Sequence, residues 1–461
     1  MPRTRTACLA GILLAAFFLA APAPARAPEP AAPPPSVVLI ILDTARADHF
    51  HCYGYPLPTT PVIDRLASEG ALFLGAISQA VNTNPSHASL LTGLLPNAHG
   101  SHYNTTPLDP AFETLTTILA KAGYRTGAFV SGYTMVVSQS GFNRGFEVYD
   151  DDLSGRQERK GVETVDRALA WLRSVPPEKP YFLFVHLFDP HGNYDPPPGF
   201  AEKFRTGKYD AISESGKIPE YQQLEIGGVL SLDPLDYISR YDGEIHYGDA
   251  QIGRLLEAIG EKPVVVFAAD HGETLVERDY YFSHGARLNE EAVRVPLIIR
   301  FPEKGLRGKR IGGVARLVDV LPTLLSYLGR TAPPRLEGRS LLPFIRAGGI
   351  PTGGTAISEA RAAPMLLEGR RVAFPQRTYI VSARSDRYKI IRYPTAPKAT
   401  LELFDLDKDP AERNNIASTD LQRASSLFTA LDLYLVTGRP PRPPDLDDEA
   451  KKKLRSLGYV D

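Results

Sequence analysis

Apolar runs recur along the chain, each closed by polar or turn-forming residues and most followed by a stretch of helical spacing. Val37–Leu42 (VVLIIL), residues 126–130, Tyr181–Leu187 (YFLFVHL), Val264–Ala268 (VVVFA) and residues 295–301 are largely apolar throughout instead of alternating. Such runs mark strands buried on both faces. Pro61–Glu69 and residues 112–122, 162–174 and 245–259 repeat apolar side chains every three or four positions and predict helices. Strands of this kind alternating with helices predict an α/β fold with a mostly parallel central sheet covered by helices on both faces. Beyond residue 317 the pattern changes. LVDVLPTLLSYLG predicts one more helix, and residues 331–339 are rich in Pro and Gly. The runs 378–383, 388–393 and 401–405 then alternate in the manner of a small antiparallel sheet. Helices are expected over 418–435 and 449–459. The implied division is a main domain over 37–363 and a smaller C-terminal antiparallel-sheet subdomain with terminal helices over 364–461.

The first 25 residues stand apart. Arg3 and Arg5 precede an apolar run over residues 9–21, and small residues follow at Ala23 and Ala25. That is the pattern of a secretory signal peptide cleaved after Ala25. The run is shorter than the roughly 20 residues a membrane span needs. An exported protein, periplasmic or secreted, is expected, with a stiff Pro/Ala-rich linker over 26–36. Cys8 falls in the leader, so Cys52 is the one cysteine left and no internal disulfide can form. Losing Arg3 and Arg5 leaves 50 basic against 53 acidic residues, a formal charge of −3. Nothing in that balance calls for nucleic acid or an anionic membrane.

Candidate chemistry collects where apolar runs end. Asp43 follows VVLIIL, Asp189 and His191 follow YFLFVHL, and Asp270 and His271 follow VVVFAA. In parallel sheets ligands gather at the carboxyl ends of strands. Any one such carboxylate is readily explained as a helix cap. Several crowded at one edge would repel unless a cation lay between them. A second focus is VNTNPSHASLLTG, residues 81–93, where Thr83, Ser86 and His87 enter a turn that runs into an apolar helix. A helix N-terminus carries partial positive charge and suits a hydroxyl that attacks an anionic ester. The plainer alternative is a hydroxyl-capped helix buried under the sheet.

The chain resembles the sulfatase family of the alkaline phosphatase superfamily over nearly all of residues 36–461. The resemblance rests on VVLIILDTARADHFHCYGY, NPSHASLLTG followed by PNAHG, DPHGNYDPP, YDGEIHYGDAQIGRLL, FAADHGETL, HGARLNEEAVRVPLIIRFP and LVDVLPTLLSYLG, and it continues through EGRSLLP, RYKIIRY and LFDLDKDPAERNNIA. Sulfatases carry Cys-x-Pro-Ser-Arg at the nucleophile, with the cysteine converted to formylglycine. This chain reads Thr83-Asn84-Pro85-Ser86-His87. At Asp43, Thr83 and Asp270-His271 it is similar to phosphoglycerol transferases of the same superfamily, which use a threonine nucleophile.

The resemblance therefore implies an exported metal-dependent hydrolase or transferase of phosphoric or sulfuric esters acting through Thr83. Phosphate is favoured, because a phosphothreonine can be opened by water or an alcohol, whereas a sulfated threonine lacks the escape that formylglycine provides. It implies one divalent cation, Ca, Mn or Zn, held by Asp43, Thr83, Asp270 and His271. His191 is implied near the leaving group, His284 and His87 at the anion, and Asn104 as a donor to the transferred group. The expected substrate is a small-molecule, glycan or lipid-headgroup ester. The alternatives are a sulfuric ester hydrolase without formylglycine and a catalytically silent anion- or glycan-binding relative.

Overall fold

The structure, a computed structural model, describes residues 34–351, 354–361, 365–367, 370–372, 378–395, 398–437 and 448–457. The expected signal peptide and most of the expected linker lie outside the described residues.

Eight strands form the central sheet: β1 Val37–Leu42, β2 Ala71–Ile77, β3 Arg125–Val130, β4 Val148–Asp150, β5 Tyr181–Leu187, β8 Val264–Ala268, β9 Leu297–Arg300 and β10 Lys309–Arg316. A short hairpin, β6 Glu225–Ile226 with β7 Val229–Leu230, lies outside it. Their spatial order is β10-β2-β9-β8-β1-β5-β3-β4. Only β9 runs against its neighbours, so the sheet is mixed but mostly parallel, as the continuous apolar runs implied. β1 sits near the middle and is fully buried along its length.

The sequence pattern missed β2, β4 and β10. In β10 the reason is visible: Gly312 and Gly313 interrupt the run, the register with β2 shifts between Ile311 and Val314, and Gly313 has φ of +73°. Two glycines in a row read as a turn, and here they form a bulge. The helix expected from residue 245 starts eleven residues earlier and spans Pro234–Ile259. Asp233 caps it by accepting from the Leu235 N–H at 2.9 Å. Its first half hides from an amphipathic pattern because polar residues such as Asp242 and Glu244 are buried.

The small antiparallel sheet has the order β11-β14-β15-β16, formed by Ala356–Arg361, Tyr379–Arg384, Tyr388–Tyr393 and Thr400–Asp405. Strand β11 was not predicted. A second hairpin pairs β12 Met365–Leu367 with β13 Arg370–Val372. One face of the small sheet packs Ala360, Ile380, Ile391 and Phe404 against Ile77, Val81 and Val293 of the main body. The other packs Ile357, Val381, Ile390 and Leu403 against Leu427, Leu431 and Tyr434 of the helix Leu421–Thr437. A sheet buried on both faces is thus an internal layer. No helix among the described residues is long and apolar enough to cross a membrane.

Candidate active site

Strand register builds the site. Ile41 of β1 pairs with Ala268 of β8, so continuing the parallel ladder by two residues brings Asp43 level with Asp270. The Asp43 N–H donates to Leu187 O at 2.9 Å, which ties that strand end to β5. Thr44 then turns with φ of +54°, a costly conformation for a β-branched residue. The turn aims its N–H at Asp270 Oδ1, 3.3 Å away, and the His271 N–H donates to the same oxygen at 2.9 Å. Asp270 Oδ2 is left with no partner. The His271 Nδ1–H donates to Gly272 O at 3.0 Å, which orients the ring with Nε2 towards the two carboxylates. That Nε2 lies 3.5 Å from Asp270 Oδ2 and 3.8 Å from Asp43 Oδ1.

Among the described residues these three atoms are buried without hydrogen-bond partners, and the three residues can offer ligand atoms within 4.8 Å of one another. Burial pushes the Asp43 carboxyl up to about 7 and raises that of Asp270, to which the Asp43 charge also contributes. Burial disfavours a charged His271, but Asp270 and Asp43 outweigh it and raise its pKa. Those charges favour the protonated ring, and a divalent cation would take the place of the Nε2 proton, so two converging carboxylates and one imidazole are a donor set that it would satisfy.

Thr83 arrives from the carboxyl end of β2 through an extended Asn82 (φ −136°, ψ 148°) and opens the helix Thr83–Thr92, which is buried at all ten positions. Its Oγ1 lies 3.5 Å from Asp43 Oδ2. Ser86, the other hydroxyl of the turn, donates to Asp270 O at 2.7 Å and contacts Ser78 Oγ at 3.0 Å. It braces the site. His87 donates from Nδ1 to Thr83 O at 2.8 Å and lies 3.7 Å from Asp270 Oδ2. Burial lowers its pKa to about 4, so it enters the site as a neutral ring.

Asn104 accepts the Asn84 N–H on Oδ1 at 2.9 Å. That bond fixes the amide and leaves the buried Nδ2 without a partner, a donor suited to an anion's oxygen. His191 stacks on Phe188 with centroids 4.1 Å apart and donates from Nδ1 to Gly192 O at 2.9 Å. Its ring lies 4.9 Å from that of His284, which in turn lies 4.6 Å from that of His271. Burial lowers the pKa of both His191 and His284 well below the usual histidine value.

Two residues belong here that the sequence reading passed over. His186, inside β5, donates from Nε2 to Asp43 Oδ2 at 3.0 Å. Glu273 is fully buried with Oε2 3.3 Å from His284 Nδ1, and burial raises its carboxyl to about 8. The available signal for His186 was a polar residue in a run buried on both faces, where it must have a partner. Asp189 shows the reverse outcome: its Oδ1 accepts the Gly161 N–H at 2.9 Å and caps the helix Gly161–Ser174.

The Sulfatase family model matches residues 35–330. Arylsulfatase K of Mus musculus is 28% identical over 464 aligned residues, covering 88% of this chain and 80% of that protein. A solved protein in complex with its substrate D-glucosamine-2-N,6-O-disulfate has a TM-score of 0.71 at 21% identity, covering 88% of this chain and 98% of its own. The phosphonate monoester hydrolase of Agrobacterium radiobacter has a TM-score of 0.69 at 22% identity, covering 87% and 95%.

Proposed function

The chain belongs to the sulfatase family, and from that premise we propose that it is an exported, metal-dependent hydrolase or transferase of phosphoric or sulfuric esters with Thr83 as its nucleophile. The observation that carries the proposal is the placement of Thr83 Oγ1 3.5 Å from Asp43, beside the unpartnered atoms of Asp43, Asp270 and His271. The family's names point to sulfate and phosphonate esters. The threonine shifts the balance towards phosphate.

Asp43, Thr83, Asp270 and His271 are the residues that would hold a cation. When bound, a divalent ion supplies charge stabilisation and lowers the pKa of an adjoining hydroxyl. The chain's own residues do the rest. Thr83 Oγ forms a bond to phosphorus as the bond from phosphorus to the ester oxygen breaks. The ring of His191 is neutral with its proton on Nδ1, so it is the proposed relay: its Nε2 takes up the proton that Thr83 gives up and passes it to the departing alcohol oxygen. Asn104 Nδ2 holds an oxygen of the transferred group. Water then opens the phosphothreonine and regenerates the hydroxyl; an alcohol in its place would make the reaction a transfer.

The test uses 4-nitrophenyl phosphate, bis(4-nitrophenyl) phosphate and 4-nitrophenyl sulfate, each assayed with Ca, Mn and Zn. Thr83→Ala should lose several powers of ten in turnover on whichever ester the wild type cleaves, and Thr83→Ser should retain measurable activity because the hydroxyl survives. Turnover by Thr83→Ala at the wild-type rate would move the attack to water. Absence of turnover on all three esters, with inorganic phosphate still bound, would make the chain a binding protein.

A further inference from the structure

The small sheet and the C-terminal helix reach the active site through one buried carboxylate. Glu359 lies on β11 and is 3% exposed. One oxygen accepts from His102 Nδ1 at 2.7 Å, and the other accepts from Tyr434 Oη, on the helix Leu421–Thr437, at 2.5 Å. Its backbone N–H donates to Gln79 O at 3.0 Å, and its residue forms a parallel bridge with Ala80. Residues 79 and 80 lead directly into Thr83. His102 lies two residues before Asn104, and its ring stacks on Tyr379 of β14 at 4.9 Å. Glu359 thus touches both segments that the proposed reaction needs, one carrying the nucleophile and the other the anion donor.

The segment bearing Asn104 is held from two sides. On one side are the helix Thr83–Thr92, through Asn84 and Asn104, and the Ser89–His99 contact at 3.0 Å. On the other are Glu359 and Tyr379, with Asn97 Nδ2 donating to Tyr434 O at 2.8 Å. A buried carboxylate costs stability relative to a packed hydrocarbon, so its worth lies in the geometry it fixes. We infer that Glu359, gripped by His102 and Tyr434, is a positioning residue that sets the Asn104 amide against the transferred anion, which makes the C-terminal part of the chain a working part of the active site. The inference rests on the role of Asn104 in the proposed function.

The experiment is a double-mutant cycle in the full chain, read as kcat and KM on the cleaved 4-nitrophenyl ester and as inhibition by inorganic phosphate. Glu359→Ala is expected to lower kcat/KM by about 10- to 100-fold and to weaken phosphate inhibition. Added to Asn104→Ala, it is expected to cost less than about threefold more, because a misplaced donor and a missing donor are the same defect. Glu359→Gln should recover much of the loss by keeping shape and two hydrogen-bonding atoms. Tyr434→Phe, which removes one hydroxyl, gives the same reading with less risk to folding, and melting curves identify unfolded variants. Additive losses, or wild-type kinetics in folded Glu359→Ala beside an impaired Asn104→Ala, would overturn the inference alone. Wild-type kinetics in Asn104→Ala would instead overturn the assignment of Asn104 on which it depends.

Discussion

At the scale of single residues, the site depends on who fixes the ligands as much as on the ligands themselves. His186 holds Asp43 Oδ2 and so leaves Oδ1 to face His271. Outer partners of this kind typically change metal affinity 10- to 100-fold when removed. His186→Phe, which keeps the ring volume, should therefore weaken Mn or Zn binding by about that factor in a competition titration against a chelating dye, with the fold intact by circular dichroism. Unchanged affinity would mean that His186 is only a satisfied core histidine. The sequence reading passed it over, and the contrast with Asp43, Asp270 and His271 shows why. Those three stand just beyond an apolar run, where a polar residue is conspicuous and the strand end gives it a place. His186 stands inside such a run, and only the register, which sets it opposite Ile41, brings it to Asp43. Glu273 was hidden differently: it follows the Asp270-His271 pair closely enough to look like part of a turn. Asp189 looked as good as Asp43 in the sequence and instead accepts the N–H of Gly161, 28 residues away at the start of a helix, a tertiary contact that leaves no trace in composition.

At the scale of elements, long apolar strands and their helices were legible, and interrupted or short ones were not. β1, β5 and β8 have the expected bounds, and all three carry site residues at or beyond their ends. β10 was lost to its glycine bulge, and β9, which reverses direction, could not be told from a parallel strand by its composition. The polar part of the small sheet's attachment was also invisible, because it joins charges far apart in sequence. Lys389 of β15 is fully buried and donates to Glu290 Oε1 at 3.1 Å, and its Nζ is 3.0 Å from Glu412 Oε1. Glu290 begins the short helix Glu290–Val293, and its N–H donates to Glu412 Oε2 at 2.7 Å. One ammonium thus joins the small sheet to the main body by separating two carboxylates. Lys389→Ala would leave the buried Glu412 and the half-buried Glu290 without it. Removing one partner of a buried ion pair costs about 3–5 kcal/mol, and urea unfolding should show a loss of that order. A change below about 0.5 kcal/mol, the range of ordinary surface substitutions, would show that water replaces the ammonium and that the junction is held by packing.

At the scale of the whole molecule, the chain is a member of the sulfatase family in which the small sheet is an internal layer, and the proposed export is read from the sequence alone. Only Cys52 follows the proposed cleavage site, so the body of the chain can form no internal disulfide. Its thiol is half-buried, and burial pushes its pKa well above the ordinary cysteine value, which makes it a poor nucleophile. The proposed leader has two arginines, an apolar stretch too short to span a bilayer as a mature helix, and alanines at the small-x-small positions 23 and 25. Each feature acts at a separate step: the charges set orientation, the apolar stretch engages the export machinery, and the small side chains fit the peptidase. Residues 1–35 fused to a reporter that works only outside the cytoplasm should therefore deliver it, with mass spectrometry showing Arg26 as the new N-terminus. Ala25→Leu should slow cleavage while leaving translocation intact, since it changes the peptidase contact and not the apolar stretch. A reporter that stays in the cytoplasm would refute export. One that crosses with residues 1–25 still attached would make the same stretch a membrane anchor, and the protein would then act at the membrane surface.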